Sequence, residues 1–79
     1  MNQSARLLLI DDEPEILRMM HLSLGQSFQM TGLADGHAAM QALRSSQYDV
    51  IIADQNLPGP SGIDILEKAT TLQPEAIRM

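Results

Sequence analysis

LLLIDDEP, residues 7–14, joins an apolar run to a group of acids and a proline. A continuous apolar run of this length indicates a strand covered on both faces, as strands of parallel sheets are. Pro14 suits the first turn of a helix, and acids before it suit the positive end of the helix dipole. These residues predict a buried strand followed by a helix, and Gly25 is expected to end that helix as its C-cap.

The same alternation of apolar runs and helical spacing continues along the chain. Further strands are expected at residues 28–33, at Val50 to Ala53 and from Ala76 onwards, with a helix before each of the last two. Asp35 is the expected N-cap of the second helix, and Gly59 is expected to take a positive φ in the loop after the third strand. The order β-α-β-α-β-α, followed by the start of a strand, predicts an α/β fold with a parallel sheet and right-handed crossovers.

Composition narrows the classes of partner. The 79 residues carry 5 Lys and Arg against 10 Asp and Glu, so the formal net charge is −5. This balance argues against nucleic acid or an anionic membrane as the direct partner of this segment, and it is compatible with binding a cation. The sequence has no cysteine, which excludes a disulfide framework and a thiolate metal site. The polar residues 1–6 precede only four apolar residues, which is too short for a signal peptide or a membrane span.

Acids follow two of the predicted strands. Asp11 and Asp12 come after the first strand, and Asp54 comes after the third. Ligands of open parallel sheets bind beyond the carboxyl ends of the strands, so neighbouring first and third strands would bring the three carboxylates together. A divalent cation would remove their mutual repulsion, and oxygen-only ligation is what Mg²⁺ prefers. Spacing alone does not exclude purely structural roles for these acids. Asp11 and Asp12 could cap the first helix, and Asp54 could begin a turn.

Three segments together resemble the receiver domain of bacterial two-component response regulators, the CheY-like family. They are LLIDDEP at 8–14, ADGHAA at 34–39 and DVIIADQNLPG at 49–59, and the spacing between them also matches. The resemblance implies a flavodoxin-like, doubly wound parallel sheet. Here it would comprise about three βα units and the start of a fourth strand. It also implies that residues 1–79 form one incomplete receiver domain, in which the part from the fourth strand onward is missing.

The resemblance implies a role for each site residue. Asp54 matches the phosphoacceptor, Asp12 the acid that contacts Mg²⁺ directly, and Asp11 the acid that often acts through water. Asn56 matches the position whose backbone carbonyl completes the metal site. The resemblance also implies that this domain is cytoplasmic and that its partner is a sensor histidine kinase or a phosphotransfer protein. The domain would assist its own phosphorylation and would not be a conventional enzyme.

The implied continuation of the chain has a physical consequence. Without the fourth and fifth strands, the third strand would become a sheet edge with unpaired backbone. A chain that ends at residue 79 is therefore expected to self-associate through that edge or to be partly unfolded. No residue present is assigned the roles of the family's phosphoryl-binding Ser or Thr and Lys, and Lys68 is not given the latter role.

Two other functions compete with the phosphoacceptor. The first is a Mg²⁺-dependent phosphatase with an aspartyl nucleophile, which would place the nucleophile after the first strand, at Asp11 or Asp12. The second is a truncated receiver that acts only as a protein-interaction module and would tolerate Asp54→Asn. His21 and His37 are expected to be exposed helix residues without a catalytic role.

Overall fold

A computed structural model describes residues 5–79, so the start of the polar N-terminal segment, residues 1–4, lies outside the described residues. Strands and helices alternate as the sequence predicts. The strands are β1 (Ala5–Ile10), β2 (Phe28–Leu33), β3 (Val50–Ala53) and β4 (Ile77–Arg78). The helices are α1 (Pro14–Leu24), α2 (Gly36–Ser45) and α3 (Gly62–Leu72).

The strands form one parallel sheet in the order β2-β1-β3-β4. Leu7 lies opposite Met30 of β2 and Val50 of β3, so the apolar run of β1 occupies the middle of the sheet. This position explains why Leu7 to Ile10 are all buried. The expected flavodoxin-like strand order is therefore confirmed.

The prediction that β3 would be a sheet edge is wrong. Residues 77–79 already cover it: the Ile77 amide donates to the Asp49 carbonyl at 2.9 Å, and the Met79 amide donates to the Ile51 carbonyl at 2.9 Å. The Ala53 amide donates in turn to the Met79 carbonyl at 3.1 Å. The reason is that the first residues of the fourth strand are sufficient to pair with a strand of only four residues.

The helices lie on both faces of the sheet. Leu8, Ile10 and Ile51 point to one face, where they form the core with α2 and α3. Leu7 and Leu9 alternate to the other face. Gly32 is in register with Leu9, and Leu17 of α1 lies beside it, so α1 covers that second face.

Gln73, at the C-terminal end of α3, is a polar residue with 3% of its surface exposed. Its carboxamide oxygen accepts a hydrogen bond from the Tyr48 amide at 2.7 Å. Its carboxamide nitrogen donates to the Leu43 carbonyl at 3.0 Å and to the Ser46 carbonyl at 2.6 Å. One side chain thus joins the end of α3, the end of α2 and the segment that enters β3.

The first turn of α2 shows the predicted cap. The Asp35 carboxylate accepts a hydrogen bond from the Ala38 amide at 2.8 Å. We expect Asp35→Ala to lower the free energy of unfolding by about 1 kcal/mol, because an amide of the first turn loses its acceptor. Urea unfolding followed by circular dichroism measures this change. Asp35→Asn keeps an acceptor and is the matched control, so equal losses in both variants would contradict the capping role.

Over residues 5–79, every helix falls short of the length and apolar content that a bilayer crossing demands.

Candidate metal centre

The carboxyl ends of β1 and β3 bring three acids together. Ile10 and Ala53 are paired in register, so the residues that follow them leave the sheet side by side. Asp11, Asp12 and Asp54 each offer a carboxylate oxygen, and these oxygens all lie within 4.8 Å of one another. The expected convergence of the three acids on one crevice is therefore what the fold produces.

Main-chain hydrogen bonds hold two of these acids in line with the sheet. The Asp54 amide donates to the Ile10 carbonyl at 2.9 Å, and the Asp11 amide donates to the Leu33 carbonyl at 3.0 Å. Each bond continues the pairing of two neighbouring strands to the first residue after β3 or β1. The backbone positions of Asp11 and Asp54 are thus set by the sheet and not by a free loop.

Asp11 also has a local role at the start of α1. Its carboxylate accepts a hydrogen bond from the Glu13 amide at 2.9 Å. Glu13 is the N-cap residue of α1 but makes no cap bond with its own side chain. A carboxylate has two oxygens and about four lone pairs, so this bond leaves Asp11 able to accept a further partner. The local interpretation and the metal interpretation are compatible for this residue.

The segment after Asp54 turns back over its side chain. Asp54 is half-buried, and its carboxylate accepts from the Asn56 amide at 3.5 Å. Asn56 is itself exposed in the loop between β3 and α3. The main-chain amide of Asn56 therefore lies beside the carboxylate of Asp54.

This loop packs closely against the start of α2. Gly59 has a φ of 77°, as predicted, and the His37 ring covers it. The Gly36 amide donates to the Pro58 carbonyl at 3.2 Å, and a side chain at Gly36 would collide with the Pro60 carbonyl. The position of the loop after Asp54 is thus determined partly by α2. The sequence predicts His37 only as an exposed helix residue and does not indicate its contact with this loop.

Gly62 was not singled out from the sequence, yet it supports the site directly. It is buried in the first turn of α3, where a β-carbon would collide with the Asp54 carbonyl oxygen and lie 2.8 Å from its carbonyl carbon. Ser61 caps the same turn through a reciprocal capping box with Asp64. The Ser-x-x-Asp spacing was a visible signal of this helix start, whereas nothing local indicates the contact between Gly62 and Asp54.

The donor set fits a small, hard cation. Three carboxylates this close repel one another, and a divalent ion between them would offset that repulsion. All the side-chain donors are oxygens, which suits Mg²⁺ or Ca²⁺ better than metals that favour nitrogen or sulfur. The three acids thus form a candidate site for a metal ion at the edge of the sheet.

A family model for the response regulator receiver domain matches residues 7–78. The chain belongs to the response regulator receiver family. This receiver is 34% identical over 73 residues to the probable transcriptional regulatory protein TcrX of Mycobacterium tuberculosis, an alignment that covers 91% of this chain and 31% of TcrX. It is 41% identical over 61 residues to the transcriptional regulatory protein KdpE of the same species, covering 76% of this chain and 27% of KdpE. The receiver thus spans less than a third of the length of these relatives.

Solved receiver structures share the fold. The response regulator TrrA of Thermotoga maritima, in complex with Mg²⁺ and BeF, superposes with a TM-score of 0.85 at 27% identity, covering 94% of this chain and 65% of TrrA. The signal receiver domain of an HD domain-containing protein from Pseudomonas fluorescens gives a TM-score of 0.88 at 25% identity, covering 96% of this chain and 62% of that one. The expected receiver fold is therefore confirmed.

Proposed function

We propose that this receiver accepts a phosphoryl group on Asp54 in a Mg²⁺-dependent reaction. The observation that carries the proposal is the approach of three carboxylate oxygens, within 4.8 Å of one another, at the ends of two adjacent strands. In this proposal Asp12 and Asp54 would contact the metal directly, Asp11 would act through water, and the Asn56 carbonyl would complete the site.

Asp54 is suited to act as the nucleophile because its backbone is held by the sheet and its side chain is half-buried. One carboxylate oxygen forms a bond to phosphorus while the bond from phosphorus to the donor nitrogen of a phosphohistidine breaks. The donor ring leaves as a neutral imidazole because its other nitrogen already carries a proton, and Asp54 becomes an acyl phosphate. Mg²⁺, when bound, neutralises the repulsion between the carboxylate and the phosphoryl oxygens.

The proposed donor is a sensor histidine kinase or a phosphotransfer protein. The domain then acts as a phosphorylation-dependent switch, and it is not a conventional enzyme because it is itself the modified product. TcrX and KdpE are described as transcriptional regulatory proteins. If this chain serves such a regulator, we infer that another segment contacts DNA, because this one has a formal net charge of −5.

Titration with Mg²⁺ and fluoroberyllate, followed by amide NMR spectra, tests the proposal. We expect shifts centred on residues 54–59 that need both reagents. Asp54→Asn removes the anionic acceptor and is expected to abolish them. Glu67→Gln changes an exposed carboxylate on α3 in the same way and is expected to preserve them.

The outcome also separates the competing functions. Mass spectrometry of the protein after treatment with a small phosphoryl donor identifies the modified residue. A phosphoryl group on Asp11 or Asp12 would support the aspartyl phosphatase and overturn the receiver mechanism. A response to fluoroberyllate that survives Asp54→Asn would also contradict it.

A further inference from the structure

A groove of about 700 Å³ runs between α2 and α3. These two helices lie on the opposite face of the sheet from α1. Its walls include His37, Gln41 and Arg44 from α2, Lys68 from α3, and Pro60 from the loop that joins β3 to α3. Both helices are anchored in the core through other faces, by Ala39 and Leu43 and by Ile65 and Ala69. The groove is therefore a surface between two fixed helices.

The charge of this groove is opposite to the charge of the chain. The sequence has 5 Lys and Arg and a formal net charge of −5, yet Arg44 and Lys68 both line this one groove. One carboxylate, that of Asp35, also lies there, but it already accepts a hydrogen bond from the Ala38 amide at 2.8 Å. An acidic ligand would be repelled by most of the surface and attracted here.

The position of Lys68 separates this groove from an ordinary charged helix end. Arg44 lies in the last turn of α2, where a positive charge also complements the helix dipole. Lys68 lies in the middle of α3, so the dipole does not account for it, and it is half-buried at the groove. Met40 and Pro60 add apolar surface to the lining of the groove.

We propose that the α2–α3 groove is a docking site for an acidic peptide segment of a partner protein. Carboxylates of the peptide pair with Arg44 and Lys68, and an apolar side chain of the peptide contacts Met40 and Pro60. Charge complementarity selects this occupant, since a basic segment would meet two cations. A short acidic segment can contact the groove alone, whereas a nucleic acid would extend over the negatively charged surface around it. No residue of the acid cluster lines the groove, and the proposed binding does not require phosphorylation of Asp54.

The test uses a fluorescein-labelled octapeptide of alternating glutamate and leucine, with binding followed by fluorescence anisotropy in the absence of Mg²⁺. We expect saturable binding that weakens as salt is added. Arg44→Gln and Lys68→Gln, tested singly, are each expected to weaken binding about fivefold, as loss of a partly exposed ion pair implies. Amide NMR shifts are expected to map to α2 and α3.

Arg18→Gln is the matched control, because it removes one exposed positive charge from α1. It is expected to change the affinity by less than about twofold. An equal loss in Arg18→Gln would show attraction by overall charge and overturn the proposal. Equal binding of the peptide with glutamine in place of glutamate, an absence of saturable binding, or shifts that map outside the groove would also overturn it. NMR spectra of each variant verify its fold.

Discussion

Gly62→Ala is expected to lower the free energy of unfolding by roughly 3 kcal/mol and to weaken Mg²⁺-dependent fluoroberyllate binding by about tenfold or more. An alanine β-carbon would collide with the Asp54 carbonyl oxygen and lie 2.8 Å from its carbonyl carbon and 3.0 Å from the Gln55 α-carbon. All three atoms belong to the main chain, so they cannot move aside as the end of a side chain can. Either α3 shifts outward or the backbone of Asp54 shifts, and the second response displaces the proposed phosphoacceptor.

A loss of stability in Gly62→Ala would be informative, because alanine in a helix is ordinarily more stable than glycine by up to about 1 kcal/mol. Gly32→Ala is the matched control: its β-carbon would lie 3.4 Å from a methyl group of Leu17, which is an ordinary contact with a mobile side chain. Urea unfolding and the fluoroberyllate titration measure both variants. If Gly62→Ala matched wild type in both measurements, the contact between α3 and Asp54 would not constrain the site.

Gln73→Met is expected to destabilise the protein by about 3 kcal/mol or more. The substitution keeps an unbranched side chain but leaves the Tyr48 amide and the Leu43 and Ser46 carbonyls without the partner that Gln73 supplies. A buried polar group that loses its partner costs about 1–3 kcal/mol, and three are affected here. In a domain this small, such a loss is a large part of the total stability.

Two variants test the explanation. Gln41→Met changes an exposed glutamine on α2 and is expected to alter stability by less than about 0.5 kcal/mol. Gln73→Glu keeps an acceptor for the Tyr48 amide but cannot donate to the two carbonyls, and it buries a charge, so it is expected to destabilise at least as much as Gln73→Met. Unfolding midpoints in urea compare them, and a Gln73→Met protein as stable as the Gln41→Met protein would refute the bridging role.

Features that depend on local patterns were predictable from the sequence. The apolar run before Asp11 indicated a buried strand, Asp35 indicated a helix start, and Gly59 indicated a left-handed turn; the structure has all three. The approach of Asp54 to Asp11 followed from the rule that parallel strands end at one edge of the sheet. These predictions succeeded because each needs only the neighbouring residues and the topology.

Features that depend on a meeting of distant segments were not predictable in this way. The bonds of Gln73 reach residues 25 to 30 positions earlier, and a glutamine near a helix end reads as a solvent-exposed residue. The contact of Gly62 with Asp54 depends on the angle at which α3 returns to the sheet. The error about β3 had a different cause, since the few residues after α3 were recognised as a strand but their ability to cover β3 was underestimated.

The central position of β1 has a consequence for the newly made chain. β1 is synthesised before β3, and their pairing joins residues 43 positions apart, such as Leu7 and Val50. Until β3 has left the ribosome, the apolar side chains of residues 7–10 have neighbours on one side only. Contacts of such long range slow folding, and uncovered apolar strands are prone to aggregate or to bind chaperones. We therefore expect β1, which is buried in the finished domain, to be open to misassociation until β3 has been synthesised.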